Sequence, residues 1–274
     1  MLKLMYITNQ PEIAKIADKN GVDRIFIDLE KIGKRERQGG MDTVQSDHSI
    51  SDIVKVKHAV KRAEIMVRVN PLHDEIEGYL SSRDEIDAVV KAGADIIMLP
   101  YFKQVEDVKR FIKYVDGRAK VLPLIETVEA VNCIDEILTL EGLDEIFVGL
   151  NDLALGYGKT FMFELLIDGT LETLCMKFRQ KGIPFGFGGI AALGKGMLPS
   201  EYIIREHYRL ESSCAILSRT FCRIDAVEDL NEVRHIFERE IPKIRELEKE
   251  CEKHSNYFRE NRKQVKEKIE NICH

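Results

Sequence analysis

Eight short runs of β-branched and aliphatic residues recur along this chain, and each is followed by a stretch with helical spacing. The runs that read as strands are Lys3 to Ile7, Arg24 to Leu29, Glu64 to Val69, Asp95 to Leu99, Ala119 to Ile125, Glu145 to Gly149, Ile183 to Phe187 and Cys214 to Leu217. After the fifth run, Val128, Val131, Ile134 and Leu138 mark one face of a helix. This alternation, with short joints containing Gly21, Gly93, Gly142 and Gly182, predicts a parallel sheet. Eight such units predict a closed (β/α)8 barrel. An open dinucleotide-binding sheet would need a glycine-rich turn after its first strand, and Ile7 to Pro11 holds no glycine. The barrel is expected to occupy residues 1–224 of the 274, enough chain to bury a large core without disulfides.

Residues 225–274 read as a charged helical extension interrupted at Pro242. Leu230, Phe237, Ile244, Cys251, Phe258, Val265 and Ile272 recur at every seventh position, whereas Glu240, His254, Asn261 and Lys268 make the companion positions polar. That is half of a coiled-coil seam. It fits either a final barrel helix followed by a solvated helix, or a contact with a neighbouring subunit in a homo-oligomer (dimer, trimer or hexamer).

The ends of the strand-like runs carry the functional signal. Arg68 closes one run, Glu126 follows another, and Asp152 lies just past a third. An unpaired charge in low dielectric costs several kcal/mol or more, so recurring terminal charges point to a common, wet mouth. Parallel barrels place their chemistry at that mouth. Strand parity sharpens the reading. In strand two the aliphatic face of Ile25, Ile27 and Leu29 belongs against the helices, which turns Phe26, Asp28 and Glu30 inward. Met66, Arg68 and Asn70 do the same in strand three, and Leu122, Leu124 and Glu126 in strand five. A structural ion-pair ring of Arg68 with Asp28 or Glu30 is the competing account.

Glu126 and Asp152 come from neighbouring strand ends and can converge. Two carboxylates with open positions suit a hard divalent ion, Mg²⁺ or Mn²⁺. Gly149 would let the chain turn so that Asp152 reaches it. Alone, Asp152 is also a good helix cap. No histidine and cysteine set has zinc spacing, and the six cysteines read as free thiols of a reducing compartment. A net charge of -6 and a pI of about 5.8 argue against a nucleic-acid partner. No apolar stretch approaches the roughly 20 residues of a membrane span, and Met1 to Asn9 turns polar too soon for a signal peptide. A cytoplasmic protein with no membrane partner is expected.

In combination, Arg68-Val-Asn70, Met98-Leu-Pro100, Leu124-Ile-Glu-Thr127 and Val148-Gly-Leu-Asn-Asp-Leu153 resemble the HpcH/HpaI aldolase and citrate lyase β-subunit family, in order and in spacing. The resemblance runs from about Asp23 to Leu155; the closing strand, Ala215 to Arg219, fits less distinctively. It implies an oligomeric barrel with helix eight exchanged between subunits, Mg²⁺ or Mn²⁺, and making or breaking of a C–C bond through an enolate. It also implies Glu126 and Asp152 as metal ligands, Arg68 as the charge that neutralises the enolate oxygen and substrate carboxylate, and Glu30 as the acid that orders metal-bound water. The aldolases of the family place a histidine base directly after that glutamate, and the citrate lyase type an aspartate. This chain has Lys31 there, which leaves Lys31 and the loop histidine His48 as candidate bases.

Asn70, Pro100, Gly188, Gly189 and Arg219 complete the candidate substrate contacts. The glycines of Gly186 to Gly189 and of Gly194 to Gly196 lie where many barrels hold a phosphate. The reading is a metal-dependent carbon–carbon lyase or aldolase of the class II type, acting on a 2-oxo acid (pyruvate-like) or an acyl-CoA carboxylate substrate. A CoA-thioester lyase or thioesterase is the nearest alternative, and a non-catalytic carboxylate-binding barrel the alternative from another class. A Schiff-base aldolase is disfavoured, because no lysine closes an inward strand position; Lys120 starts its strand at the opposite end.

Overall fold

The computed structural model describes residues 1–34, 46–222, 229–253 and 256–273. His254 and the first four residues of the expected extension, 225–228, lie outside the described residues. The strands are β1 (Lys3–Ile7), β2 (Arg24–Asp28), β3 (Glu64–Arg68), β4 (Ile96–Leu99), β5 (Lys120–Ile125), β6 (Ile146–Val148), β7 (Phe185–Ile190) and β8 (Cys214–Leu217). They pair in sequence order, all parallel, and β8 returns to β1 to close the barrel. The expected (β/α)8 fold is present.

Each strand is short and apolar because it is buried on both faces. Ile25, Ile27, Ile65 and Val67 point outward into the layer beneath the helices. Phe26, Met66, Leu122 and Leu124 fill the barrel interior with Met5 and Phe147. The helices begin and end on local signals. Pro11 opens α1 (Pro11–Lys19), and the Ser81 hydroxyl accepts the Asp84 N–H to cap α3 (Ser82–Ala92). Between these, α2 (Ile50–Ala59) follows β2 across the loop. Next come α4 (Val105–Val115), the short helices α5 (Val128–Asn132) and α6 (Ile134–Ile137), α7 (Leu150–Gly156), α8 (Thr170–Lys181) and α9 (Ser200–Leu210).

The amino-terminal end of the barrel is closed by charge. Arg24, fully buried, donates Nη1 and Nη2 to the two Glu145 oxygens at 2.6 and 2.5 Å, and its Nε to Glu64 at 3.1 Å. Lys120 Nζ donates to the other Glu64 oxygen at 2.5 Å.

The seventh strand departs from expectation. It starts two residues later and runs to Ile190, so the glycines of Gly186 to Gly189 sit within the strand. The register against β8 slips between Gly186 and Gly189, which is how one extra residue bends a barrel strand.

The tail also resolves differently. Helix α10 (Leu230–Lys253) takes the place of the barrel's own eighth helix, packing on α1 and α9. Phe237 is fully buried with its ring edge-on to Tyr6 at 5.0 Å, and Ile244 and Cys251 are buried beside it. Helix α11 (Phe258–Cys273) then packs on α9, where the Asn261 side-chain N–H donates to Glu206 and to the Tyr202 carbonyl. Of the seven-residue series, Phe237, Ile244, Cys251 and Val265 are thus buried in this chain's own packing, whereas Leu230 is exposed. No described helix is long and apolar enough to cross a membrane.

Candidate active site at the barrel mouth

Asp28 and Arg68 end adjacent strands in direct register. The Arg68 guanidinium donates Nε to Asp28 Oδ1 at 2.9 Å and Nη2 to Oδ2 at 2.8 Å. Its Nε also lies 3.3 Å from Glu30, and its charge lies over the Phe26 ring. Lys34 reaches in from the loop and donates to Asp28 Oδ2 at 2.7 Å, with Glu30 3.7 Å away. Asp28 Oδ1 further accepts the Glu30 N–H. Every lone-pair direction of Asp28 is thus engaged. Burial acts to raise its pKa, but Arg68 and then Lys34 outweigh that and hold the carboxyl well below the usual range. Asp28, a candidate catalytic residue by parity, is placed as the group that aims two cations.

Glu126, buried just past β5, accepts the Tyr101 N–H at 2.8 Å through Oε1. Burial, then Glu30, then Asp152 push its pKa up to about 8, with Arg68 opposing. Asp152 stands in the first turn of α7, half-buried, with Gly149 at the cap position, so Asp152 is not the N-cap. Gly149 has an ordinary φ of -84°, and the turn does not demand glycine. Space does: a Cβ there would stand 2.9 Å from both Cβ and Oε2 of Glu126.

These side chains line a cavity of about 680 Å³ at the carboxyl-terminal mouth of the barrel. Asp28, Arg68, Glu126, Asp152, Lys34, His48, Gly188, Gly189 and Arg219 all contribute to its wall. Glu30 is buried immediately behind, on Arg68. His48 presents its ring to the cavity and accepts the Asp28 backbone N–H at Nδ1, 3.0 Å. Burial lowers its pKa.

Three expected residues are placed elsewhere. Asn70 is buried behind the mouth: its amide donates to Glu85 at 2.8 Å, and its oxygen accepts the N–H groups of Lys31 and Ile32. It fastens the loop after β2. Pro100 is buried outside the cavity wall; its neighbour Tyr101, at a φ of 45°, supplies the N–H that holds Glu126. Lys31 is exposed and does not line the cavity, although its partner at 3.0 Å, Asp47, lies at the cavity's edge. The phosphate expectation also weakens, because the Gly194 N–H donates to Glu201 and the Lys195 N–H to Ala192. Lys34 was missed. No strand parity reaches a loop, so its place three residues after Lys31 gave no sign of its direction. It removes the ground on which a lysine at the mouth was excluded.

The donor set fits a divalent cation. Glu126 and Asp152 both line the mouth, and the charge of Asp152 helps to raise the pKa of Glu126, so the two carboxyl groups are near neighbours. Among the described residues no group of three or more histidine, cysteine or carboxylate side chains could enclose an ion. Two carboxylates with open positions is what a water-keeping hard ion takes.

No curated protein matches the sequence. Solved structures share the fold. An HpcH/HpaI aldolase from Desulfitobacterium hafniense DCB-2 is 16% identical with a TM-score of 0.59, over 79% of this chain and 86% of that one. An HpcH/HpaI aldolase/citrate lyase family protein from Burkholderia cenocepacia J2315 is 16% identical with a TM-score of 0.61, over 85% and 94%. Macrophomate synthase is 17% identical with a TM-score of 0.55, over 80% and 77%. The sequence model of HpcH/HpaI aldolase/citrate lyase matches residues 3–164, so this chain belongs to that family of lyases.

Proposed function

We propose that the protein is a divalent-metal-dependent carbon–carbon lyase that stabilises the enolate of a pyruvate-like 2-oxo acid. The observation that carries this reading is the meeting, at one mouth, of a guanidinium fixed by Asp28 with two cavity-facing carboxyl groups, of which Glu126 is kept from ionising easily by burial, Glu30 and Asp152. Glu126 and Asp152 would hold Mg²⁺ or Mn²⁺, and the ion would supply Lewis-acid polarisation of the carbonyl oxygen.

The chain's own residues do the rest. Asp28 engages Nε and Nη2 of Arg68 and so fixes its plane. Among the described residues, no hydrogen bond takes Nη1. A planar donor held in place before charge develops contributes most where the oxygen becomes an enolate. Apolar walls from Phe26, Met98, Leu124 and Phe147 exclude water and strengthen that interaction.

The test is exchange of pyruvate methyl protons in D₂O, followed by NMR with and without Mg²⁺, beside calorimetric titration of the ion. Wild type should exchange only with metal, and Glu126→Gln should lose both exchange and ion binding while melting normally. Metal-independent exchange, or a borohydride-trapped adduct on Lys34, would move the chemistry to an imine and overturn the metal reading.

A further inference from the structure

We infer that His48 is a neutral hydrogen-bond donor to a substrate oxygen, through Nε2–H, and is not the base of the reaction. The inference rests on the enolate reading for the identity of that oxygen, and on geometry for the donor itself.

The Asp28 N–H points at His48 Nδ1 across 3.0 Å. A backbone N–H has one proton to give, so Nδ1 must offer a lone pair. The proton of the neutral ring is then on Nε2. An imidazolium, or the other tautomer, would set N–H against N–H at this distance. Turning the ring over would put a C–H there and leave the Asp28 N–H without this acceptor, in a buried position where that is costly.

The ring has little freedom to escape this constraint. Asp52 accepts the Ser49 N–H and hydroxyl and the Asn9 amide, which pins the backbone next to His48 at the start of α2. Among the described residues no protein group hydrogen-bonds Nε2, and His48 forms part of the cavity wall. Burial, which lowers the ring's pKa, keeps it uncharged.

A base must present a lone pair, and Nε2 in this tautomer has none. Accepting a proton would require Nδ1, at the expense of the Asp28 bond. A donor, in contrast, is ready-made. Asp28 therefore sets two donors by two routes. Its carboxylate aims the charged guanidinium of Arg68, and its backbone fixes the neutral imidazole. The ligand they fit is one with adjacent anionic oxygens, such as the carboxylate and enolate oxygen of a 2-oxo acid.

The experiment uses whole protein labelled with ¹⁵N in its histidine rings, with the His48 signals assigned by their absence from His48→Gln. Two-bond proton–nitrogen spectra should place the proton on Nε2 in the ligand-free protein. Oxalate with Mg²⁺, a planar enolate mimic, should shift that Nε2–H. A proton on Nδ1, or an Nε2–H unmoved by bound oxalate, would overturn the inference.

The variant pair gives a second reading. The Gln amide nitrogen can replace Nε2–H as a donor, whereas Leu cannot. Pyruvate exchange should fall by about 10²-fold in His48→Leu, the scale of one lost oxyanion donor, and much less in His48→Gln. Equal losses in the two variants would return His48 to the role of base. Failure of wild type to bind oxalate would count against the enolate reading instead, and the tautomer of the free protein would still judge His48 separately.

Discussion

Gly149→Ala is the smallest change that separates the placement of Glu126 from its chemistry. The backbone there, at φ -84°, accepts alanine without strain. The added methyl would meet Glu126 Cβ at 2.9 Å, Oε2 at 2.9 Å and Leu124 Cδ1 at 3.2 Å, against an optimum carbon separation of roughly 3.5–4.0 Å. Glu126 Cβ is tied to the strand and cannot retreat. The carboxylate must therefore swing, and it is held by the Tyr101 N–H at 2.8 Å. Overpacking of this kind costs about 1–3 kcal/mol, and loss of a hydrogen bond to an ionised group about 1.5–3 kcal/mol. A displaced ligand should weaken the divalent ion by about 10–100-fold, the range found when the groups that orient a ligand are altered. Calorimetric titration with Mn²⁺ reads the affinity, and a thermal melt reads the packing. Unchanged affinity in a variant that also melts like wild type would refute the steric argument and, with it, Glu126 as a ligand.

Other outcomes follow from the same structure. Arg68→Lys keeps the charge but loses the planar fork, and should lower pyruvate exchange by about 10²-fold or more; normal exchange with a lowered melting temperature would make Arg68 a structural partner of Asp28 only. Arg24→Met leaves the buried Glu145 with only the half-exposed Lys3, 3.5 Å away, at the closed end of the barrel and should cost about 3–5 kcal/mol in urea unfolding, most of it regained in Arg24→Met with Glu145→Leu. A single variant within about 0.5 kcal/mol of wild type would show that the buried pair contributes nothing. His207 is fully buried against the Phe187 ring, and burial lowers its pKa to about 3. The unfolded chain, near 6.5, binds the proton first, so this contribution is complete above pH 6.5 and is lost as the pH falls from there towards 3. His207→Phe should flatten that part of the profile, reducing the stability lost between pH 7 and 5 by about 2 kcal/mol; parallel profiles for the two proteins would contradict it.

Much of this was legible from periodicity alone. Alternation of two in the strands separated Ile25 and Ile27 from Phe26 and Asp28, and the structure keeps that division. Parity says which way a side chain points, however, and not what it meets. Asn70 does turn off the outer face, yet Glu85 on the following helix takes its amide before any substrate could. Lys34 and His48 come from a loop, where no period exists; His48 could be named as a candidate, but only tertiary proximity to Asp28 fixes its place and reveals Lys34. The tail was ambiguous for a related reason. A last barrel helix and a coiled-coil seam both present an apolar stripe about every seventh residue, and Phe237 and Ile244 satisfy the first. Gly149 was read as a turn residue because glycine usually marks one, but here it makes room for a neighbour.

The two ends of the barrel use the same residue types to opposite effect. At the closed end, Glu64 and Glu145 are each paired with more than one cation, Arg24 with Lys120 and Arg24 with Lys3. Nothing is left over there, and the ring serves the fold. At the open end Asp28 takes hydrogen bonds from both Arg68 and Lys34, Glu30 lies 3.3 and 3.7 Å from the same two cations, and Glu126 has a raised pKa. Burial beside Glu30 and Asp152 is unfavourable for an ionised Glu126 in the isolated chain, and its raised pKa is the record of that. A carboxyl group held back from ionising beside an open cavity is one that a positive charge arriving from outside would stabilise in its ionised form, which is what the proposed ion would do there.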